Sequence, residues 1–152
     1  MEVIIVLVIL AILAALLIPA LTGYVDMANE NTCLVECRHF ITAAQTLSVE
    51  KYAAHTLDEL DKCTPEVRDA FFKECFVLSE LDSGGTQPAV KKVSLTITSK
   101  GKVTDVTYTD GYFTTVYKNG EFSVTEGVTI KDNSLTVSDG GSIPDNNTSV
   151  ST

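Results

Sequence analysis

The chain begins with apolar residues that do not alternate with polar ones. From Val3 to Leu21 no side chain carries a charge or a polar group. The stretch includes Val3, Ile4, Ile5, Val6, Leu7, Val8, Ile9, Leu10, Ile12, Leu13, Leu16, Leu17 and Ile18. As a helix these residues span about 28 Å, close to the thickness of a bilayer core. Two residues break the pattern, an acid (Glu2) before the run and a proline (Pro19) near its end. Beyond Pro19 the apolar positions become helical in period, with Cys33, Cys37, Phe40, Ile41, Ala44 and Leu47 three or four residues apart. Glu30, Glu36, Arg38, Gln45 and Glu50 fall mostly on the other side of the wheel. The pattern predicts one long helix to about Ala54, bent or interrupted near Pro19 because proline removes a hydrogen bond and crowds the preceding turn. Its first half is apolar all round and leaves the domain, and its second half is amphipathic and built into it.

Two shorter helices are expected next. Thr56-Leu57-Asp58-Glu59 has the capping-box pattern. Thr64-Pro65-Glu66 places a capping hydroxyl, a proline and an acid at a helix start. The latter helix should run to about Leu81 with Val67, Phe71, Cys75 and Leu78 on one face. From Val90 the period changes to alternation, as in Val93, Leu95 and Ile97. Turn signals then recur at Lys100-Gly101, Asp110-Gly111, Asn119-Gly120 and Glu126-Gly127. These predict an antiparallel meander over 92–99, 102–109, 112–118 and 121–126, with weaker strands near 128–131 and 135–138. The fold class is α+β, with the amphipathic half of the long helix covering the sheet. The expected division is an apolar helix over 1–24, a head over 25–138 and a flexible polar tail over 139–152.

Charge and cysteine content narrow the function. A net charge of −9 in 152 residues, without a Lys/Arg cluster, argues against nucleic-acid or anionic-membrane binding. Cys33, Cys37, Cys63 and Cys75 form an even set behind a membrane-length segment, which suits two disulfides in an oxidising compartment. Cysteines four apart on a helix seldom bond each other. The nested pairing Cys37–Cys63 with Cys33–Cys75 suits a chain folding back on the helix, and Cys33–Cys63 with Cys37–Cys75 is the alternative. Zinc is the weaker reading, because no C-x-x-C pair is present and His39 and His55 complete no ligand spacing. No catalytic set, P-loop, dinucleotide fingerprint or haem motif is found, so neither enzymatic activity nor a cofactor is expected. Asp132, Asp139 and Asp145 match no calcium loop and read as surface charge. Asn146 and Asn147 begin sequons whose meaning depends on the host. Glu2, at the edge of an apolar rod, is either interfacial or a buried charge needing a cation, and the residues alone favour the interfacial position.

The segment Met1-Glu2-Val3-Ile4-Ile5-Val6-Leu7-Val8-Ile9-Leu10 through Ile18-Pro19-Ala20-Leu21 resembles the mature N terminus of type IV pilins. In that family an acid opens an apolar helix and a proline follows seventeen residues later. The continuation Leu21 to Glu30, and Ala43-Ala44-Gln45-Thr46, is similar to pilins of Gram-positive, clostridia-like bacteria. The resemblance covers about a third of the chain, and the head resembles the family in expected architecture only. It implies a single-pass plasma-membrane precursor, cut by a prepilin peptidase, methylated, and assembled by a motor into an extracellular helical filament. Adhesion and twitching motility are the implied uses. It further implies that Glu2 pairs with the N-terminal amine of a neighbouring copy. The family's acid lies a little further in, so the resemblance places three more mature residues and a short basic leader ahead of Met1. Were Met1 the mature start, the amine pairing would not follow. Ala11 stands where many members have a helix-weakening glycine, which leaves Pro19 as the place where an assembled helix would give way. The alternatives are a minor pilin, a pseudopilin of a secretion or DNA-uptake system, or an unrelated membrane-anchored binding or enzyme domain.

Overall fold

In the computed structural model, residues 2–61, 64–81 and 91–138 are described. One helix, α1, runs uninterrupted from Glu2 to Ala53 with Pro19 inside it. The expected interruption is absent: the Thr22 hydroxyl donates to the Pro19 carbonyl at 3.0 Å, one turn on, and the helix continues. A short helix α2 (Leu57–Asp61) and a longer α3 (Pro65–Leu78) follow.

Both longer helices end on a left-handed residue that is not glycine. At the end of α1, His55 has φ 59°, its N–H bonds the Tyr52 carbonyl, and the Thr56 N–H bonds that of Lys51. At the end of α3, Glu80 has φ 58°, its N–H bonds the Val77 carbonyl, and the Leu81 N–H bonds that of Phe76. These bond pairs define the Schellman motif, which satisfies the last orphan carbonyls of a helix. The motif ends α3 three residues before the expected Leu81. The expected capping hydroxyls take other roles. Thr56 Oγ1 turns back to the Lys51 carbonyl at 3.3 Å, and Thr64 makes no side-chain cap.

Five strands form one mixed sheet: β1 (Lys92–Thr98), β2 (Val103–Thr109), β3 (Phe113–Lys118), β4 (Glu121–Glu126) and β5 (Ser134–Ser138). Their spatial order is β4-β3-β2-β1-β5. The first four strands are the expected meander. β5, however, crosses to the far edge and pairs parallel with β1, Leu135 opposite Leu95 and Val137 opposite Ile97. The expected strand near 128–131 is absent, because that stretch makes the crossing. Gly127 N–H bonds the Tyr112 carbonyl at one side, and Asn133 Oδ1 accepts from the Val93 N–H at the other.

The core lies between the second half of α1, α3 and one sheet face. Val93, Leu95 and Ile97 point inward on alternate positions of β1, and Val106 and Tyr108 meet them from β2. A bulge between Thr96 and Ile97 shifts the register, so Val103 also turns inward. From α1, the expected stripe of Cys33, Cys37, Phe40, Ala44 and Leu47 is buried, with Ile41 packed at its border. Phe40 lies 5.2 Å from Phe76, 6.3 Å from Phe72 and 6.4 Å from Tyr108 between ring centroids. α3 turns inward most of the face expected of it, with Val67 packed at the core's border. Phe71, Phe72, Cys75 and Phe76 are buried, whereas Leu78 is half exposed.

Candidate functional site: an exposed apolar helix on a fixed head

Every large aliphatic residue from Val3 to Ile18 is 52–71% exposed. The sequence and the α1 geometry explain this together. A rod with aliphatic side chains on all sides cannot turn a polar face to water, and the sheet begins to cover α1 only around Gly23 to Glu30. The stretch is long and apolar enough to cross a membrane, and none of it is buried within the chain. Glu2 is exposed in the first turn, seventeen residues and about 26 Å from Pro19 along the axis. The residues singled out from the sequence thus form one continuous surface rather than a pocket.

The head grips the other half of α1 through polar contacts that the period of apolar residues did not reveal. Gln45 Nε2 donates to the Gly101 carbonyl at 2.8 Å, and its Oε1 accepts from the Val103 N–H at 2.9 Å. One amide side chain thereby ties the β1–β2 turn to the helix. Gly101 itself sits at φ 77°, and a Cβ there would lie 2.8 Å from the Ser48 carbonyl oxygen. Lower down, the Glu36 carboxylate accepts from Tyr108 Oη at 2.6 Å and pairs with Lys91 Nζ at 2.7 Å. Burial and the Glu36 carboxylate push the Tyr108 phenol above its ordinary pKa of 10.0. Arg38 reaches toward the β4 edge of the sheet, its guanidinium 4.9 Å from the Phe122 ring. Glu36 lies three residues after Cys33 and one before Cys37, on the buried side of the wheel. That position was the available signal that its charge needed partners.

The cysteines differ from expectation. Cys33, Cys37 and Cys75 are buried thiols, and Cys63 lies outside the described residues. Cys33 faces β3: Thr115 Oγ1 donates to its sulfur at 3.3 Å, and its S–H points to the Phe113 carbonyl at 3.6 Å. Cys75, on α3, packs against a higher level of α1, where Phe76 meets Phe40 and Glu74 approaches Lys51 at 4.0 Å. Cys33 to Phe40 alone is about 10 Å of helix, beyond the Cα reach of a disulfide. The Cys33–Cys75 bond is therefore not made, nor is Cys37–Cys75. Burial raises all three thiols above 9.0, Cys37 to about 12.

His39 and His55 are exposed, and no group of three His, Cys, Asp or Glu side chains forms a metal site among the described residues. Asp132 is exposed, whereas Asp139, Asp145, Asn146, Asn147 and the expected tail lie outside the described residues. No protein-family model, curated protein or solved structure matches the chain. The exposed rod offers an apolar surface that lipid or another apolar surface could cover.

Proposed function

We propose that the chain is the major structural subunit of a type IV pilus, polymerising through Val3 to Leu21 and carrying a pilin-like head. One observation carries the reading: a membrane-length apolar helix, opened by Glu2 and holding Pro19, is continuous with the spine of a folded head. In a bilayer the rod is covered by lipid, and its backbone groups are satisfied within the helix. Once extracted, it needs another cover, and identical rods offer the same apolar surface from every side. Burying about 20 Å² more per residue over the stretch, at about 25 cal/mol per Å², gives on the order of 10 kcal/mol per subunit relative to water. Much of that gain disappears relative to lipid. Assembly therefore calls for an energy-driven machine acting on a membrane-held precursor, while the finished polymer is stable in water. A head-to-tail contact between identical copies does not close, so the product is an open helical filament outside the cell.

Glu2 acquires a specific role in this reading. A carboxylate carried into an apolar bundle needs a cation, and the amine of a neighbouring copy is the partner the family resemblance supplies. Replacing Glu2 with Ala tests the proposal in cells producing the chain: surface filaments recovered by shearing should be lost while the membrane-held protein persists. Undiminished filaments would remove Glu2 from assembly. Absence of this chain from wild-type sheared filaments would remove the proposal itself. A minor pilin or pseudopilin would appear in such preparations only as a trace component.

A further inference from the structure

The end of the head nearest the rod exposes two large apolar side chains, and we propose that this base rests on the phospholipid headgroups of the membrane that the rod spans. The proposal rests on the membrane-held precursor and adds a second contact with lipid, made by the head. Tyr112, in the β2–β3 turn, is 78% exposed, and Val128, just after β4, is 52% exposed. Gly23, Asp26 and Glu30 of α1 line one groove with Phe113 and Glu126, so β3 begins and β4 ends at the level where α1 enters the head. β3 runs away from the rod from there, since its last residues Tyr117 and Lys118 pair with Val106 and Asp105 of β2. Tyr112 and Val128 therefore lie beyond the strand ends on the rod side. They are neighbours across the hairpin, because the Gly127 N–H bonds the Tyr112 carbonyl at 2.7 Å.

The crossing from β4 to β5 extends this base. β4 ends and β5 begins at the rod side of the sheet, on opposite edges, so residues 127–133 pass under its whole width, about 19 Å. Val128 and Thr129 are exposed along it, and Ile130 is half-buried. The crossing is fixed at both ends, by the Gly127 bond and by Asn133 Oδ1, which accepts from the Val93 N–H at 2.9 Å. The turn is fixed as well, because Asp110 Oδ1 accepts from the Tyr112 and Phe113 N–H groups, both at 2.8 Å. Tyr112 and Val128 thus keep their level relative to α1 and meet a surface without refolding.

α1 decides which surface that is. The helix is continuous through Pro19, so the rod and the head share one axis. From Leu21, the last residue of the apolar run, Gly23 is about 3 Å and Glu30 about 14 Å along the helix, while the headgroup layer outside the hydrocarbon is about 6 Å deep on each side. Side chains projecting below the groove therefore reach that layer when the rod spans the bilayer, and a rod tilt of about 20° toward the sheet brings them closer. Tyr24, one turn past Leu21 and 72% exposed, marks the same level on α1. Tyrosine favours this layer because its ring is apolar and its hydroxyl stays wet. Charge selects the lipid. Asp26, Glu30, Asp110, Glu126 and Asp132 stand at this end, against Lys92 and Lys131, while Lys91 is paired with Glu36. Five acids against two lysines disfavour an anionic surface and fit a zwitterionic one.

The chain has no tryptophan, so a single introduced one reports its own depth. Full-length chains carrying Tyr112→Trp, Val128→Trp, Tyr24→Trp or Tyr52→Trp are reconstituted singly in phosphatidylcholine vesicles. Part of the lipid is brominated high on the acyl chain, where bromine quenches nearby indole emission. Tyr24→Trp marks the exit of the rod, and Tyr52→Trp, about 42 Å further along α1, marks the far end of the head. Emission from Tyr112→Trp and Val128→Trp should fall by about half or more, as for Tyr24→Trp, while Tyr52→Trp keeps its emission. Base probes as bright as Tyr52→Trp, with Tyr24→Trp quenched, would overturn the resting base and leave the membrane-held precursor standing. An unquenched Tyr24→Trp would remove the membrane span, and the base contact with it. Either base probe decides the matter if the other misfolds. Replacing half of the phosphatidylcholine with phosphatidylglycerol at low salt should weaken quenching of the base probes but not of Tyr24→Trp. No weakening would overturn the choice of a zwitterionic surface.

Discussion

Gly101 is the place where the head is locked to the helix, and replacing it with Ala isolates that lock. Two costs are expected. An L-residue at φ 77° carries the left-handed penalty, about 1–2 kcal/mol. The new Cβ would also lie 2.8 Å from the Ser48 carbonyl oxygen and 3.1 Å from Tyr52 Cβ, so the turn must move off the helix. Overpacking of this kind adds about 1–3 kcal/mol, and displacing the turn strains both Gln45 hydrogen bonds. Gly120 is the internal control: its φ is 91°, but a Cβ there meets nothing within 4 Å. Gly120→Ala should carry the backbone penalty alone. Urea titration of the full-length chain in mild detergent micelles, followed by near-UV circular dichroism, would compare the two. We expect Gly101→Ala to be less stable than Gly120→Ala by about 1–3 kcal/mol. Equal destabilisation would refute the close contact between the β1–β2 turn and α1.

Three further outcomes follow from the same geometry. Gln45→Ala removes two hydrogen bonds at once and should cost about 2 kcal/mol in the same titration, whereas its exposed helical neighbour Thr46→Ala should cost well under 1 kcal/mol. Stability should fall above pH 9: Cys37 is held protonated to about 12 and Tyr108 beyond its ordinary 10.0. The unfolded chain thus releases protons that the folded chain keeps. Each such group contributes a loss of up to about 1.4 kcal/mol per pH unit, and a denaturation midpoint flat from pH 8 to 11 would contradict it. Finally, iodoacetamide under native conditions should leave Cys33, Cys37 and Cys75 unlabelled, and all three should react in urea without reductant. Labelling only after reduction would restore the disulfide pairing in place of buried thiols.

Much of the architecture could be read from the sequence where one strong local signal dominated. The uniform apolar run fixes an exposed rod, the stripe from Cys33 to Leu47 fixes the buried face of α1, and glycine-marked turns fix four consecutive strands. The misreadings share a cause: they depended on distant partners. Leu78 has the right spacing to face inward, but Phe72 and Phe76 pack against Phe40 and leave it half exposed, while Phe71 and Cys75 of the expected face are buried. Thr56 has a capping pattern, yet the end of α1 claims its hydroxyl. The short run at the end of the sheet could not announce that it would pair parallel with β1, because no local pattern encodes which edge a strand reaches. The cysteine pairing failed for the same reason, since spacing along the chain does not give the level at which α3 lies on α1. The candidate site itself needed no such partner within the chain, which is why its residues were legible from the first twenty-one positions.

A cryo-EM map of filaments sheared from cells producing this chain examines the central claim most directly. The account predicts helical density with Val3 to Leu21 of many copies packed at the axis, Glu2 inside the bundle, and the heads outside. Filaments lacking this chain, or a map in which the apolar rods lie away from one another, would contradict it.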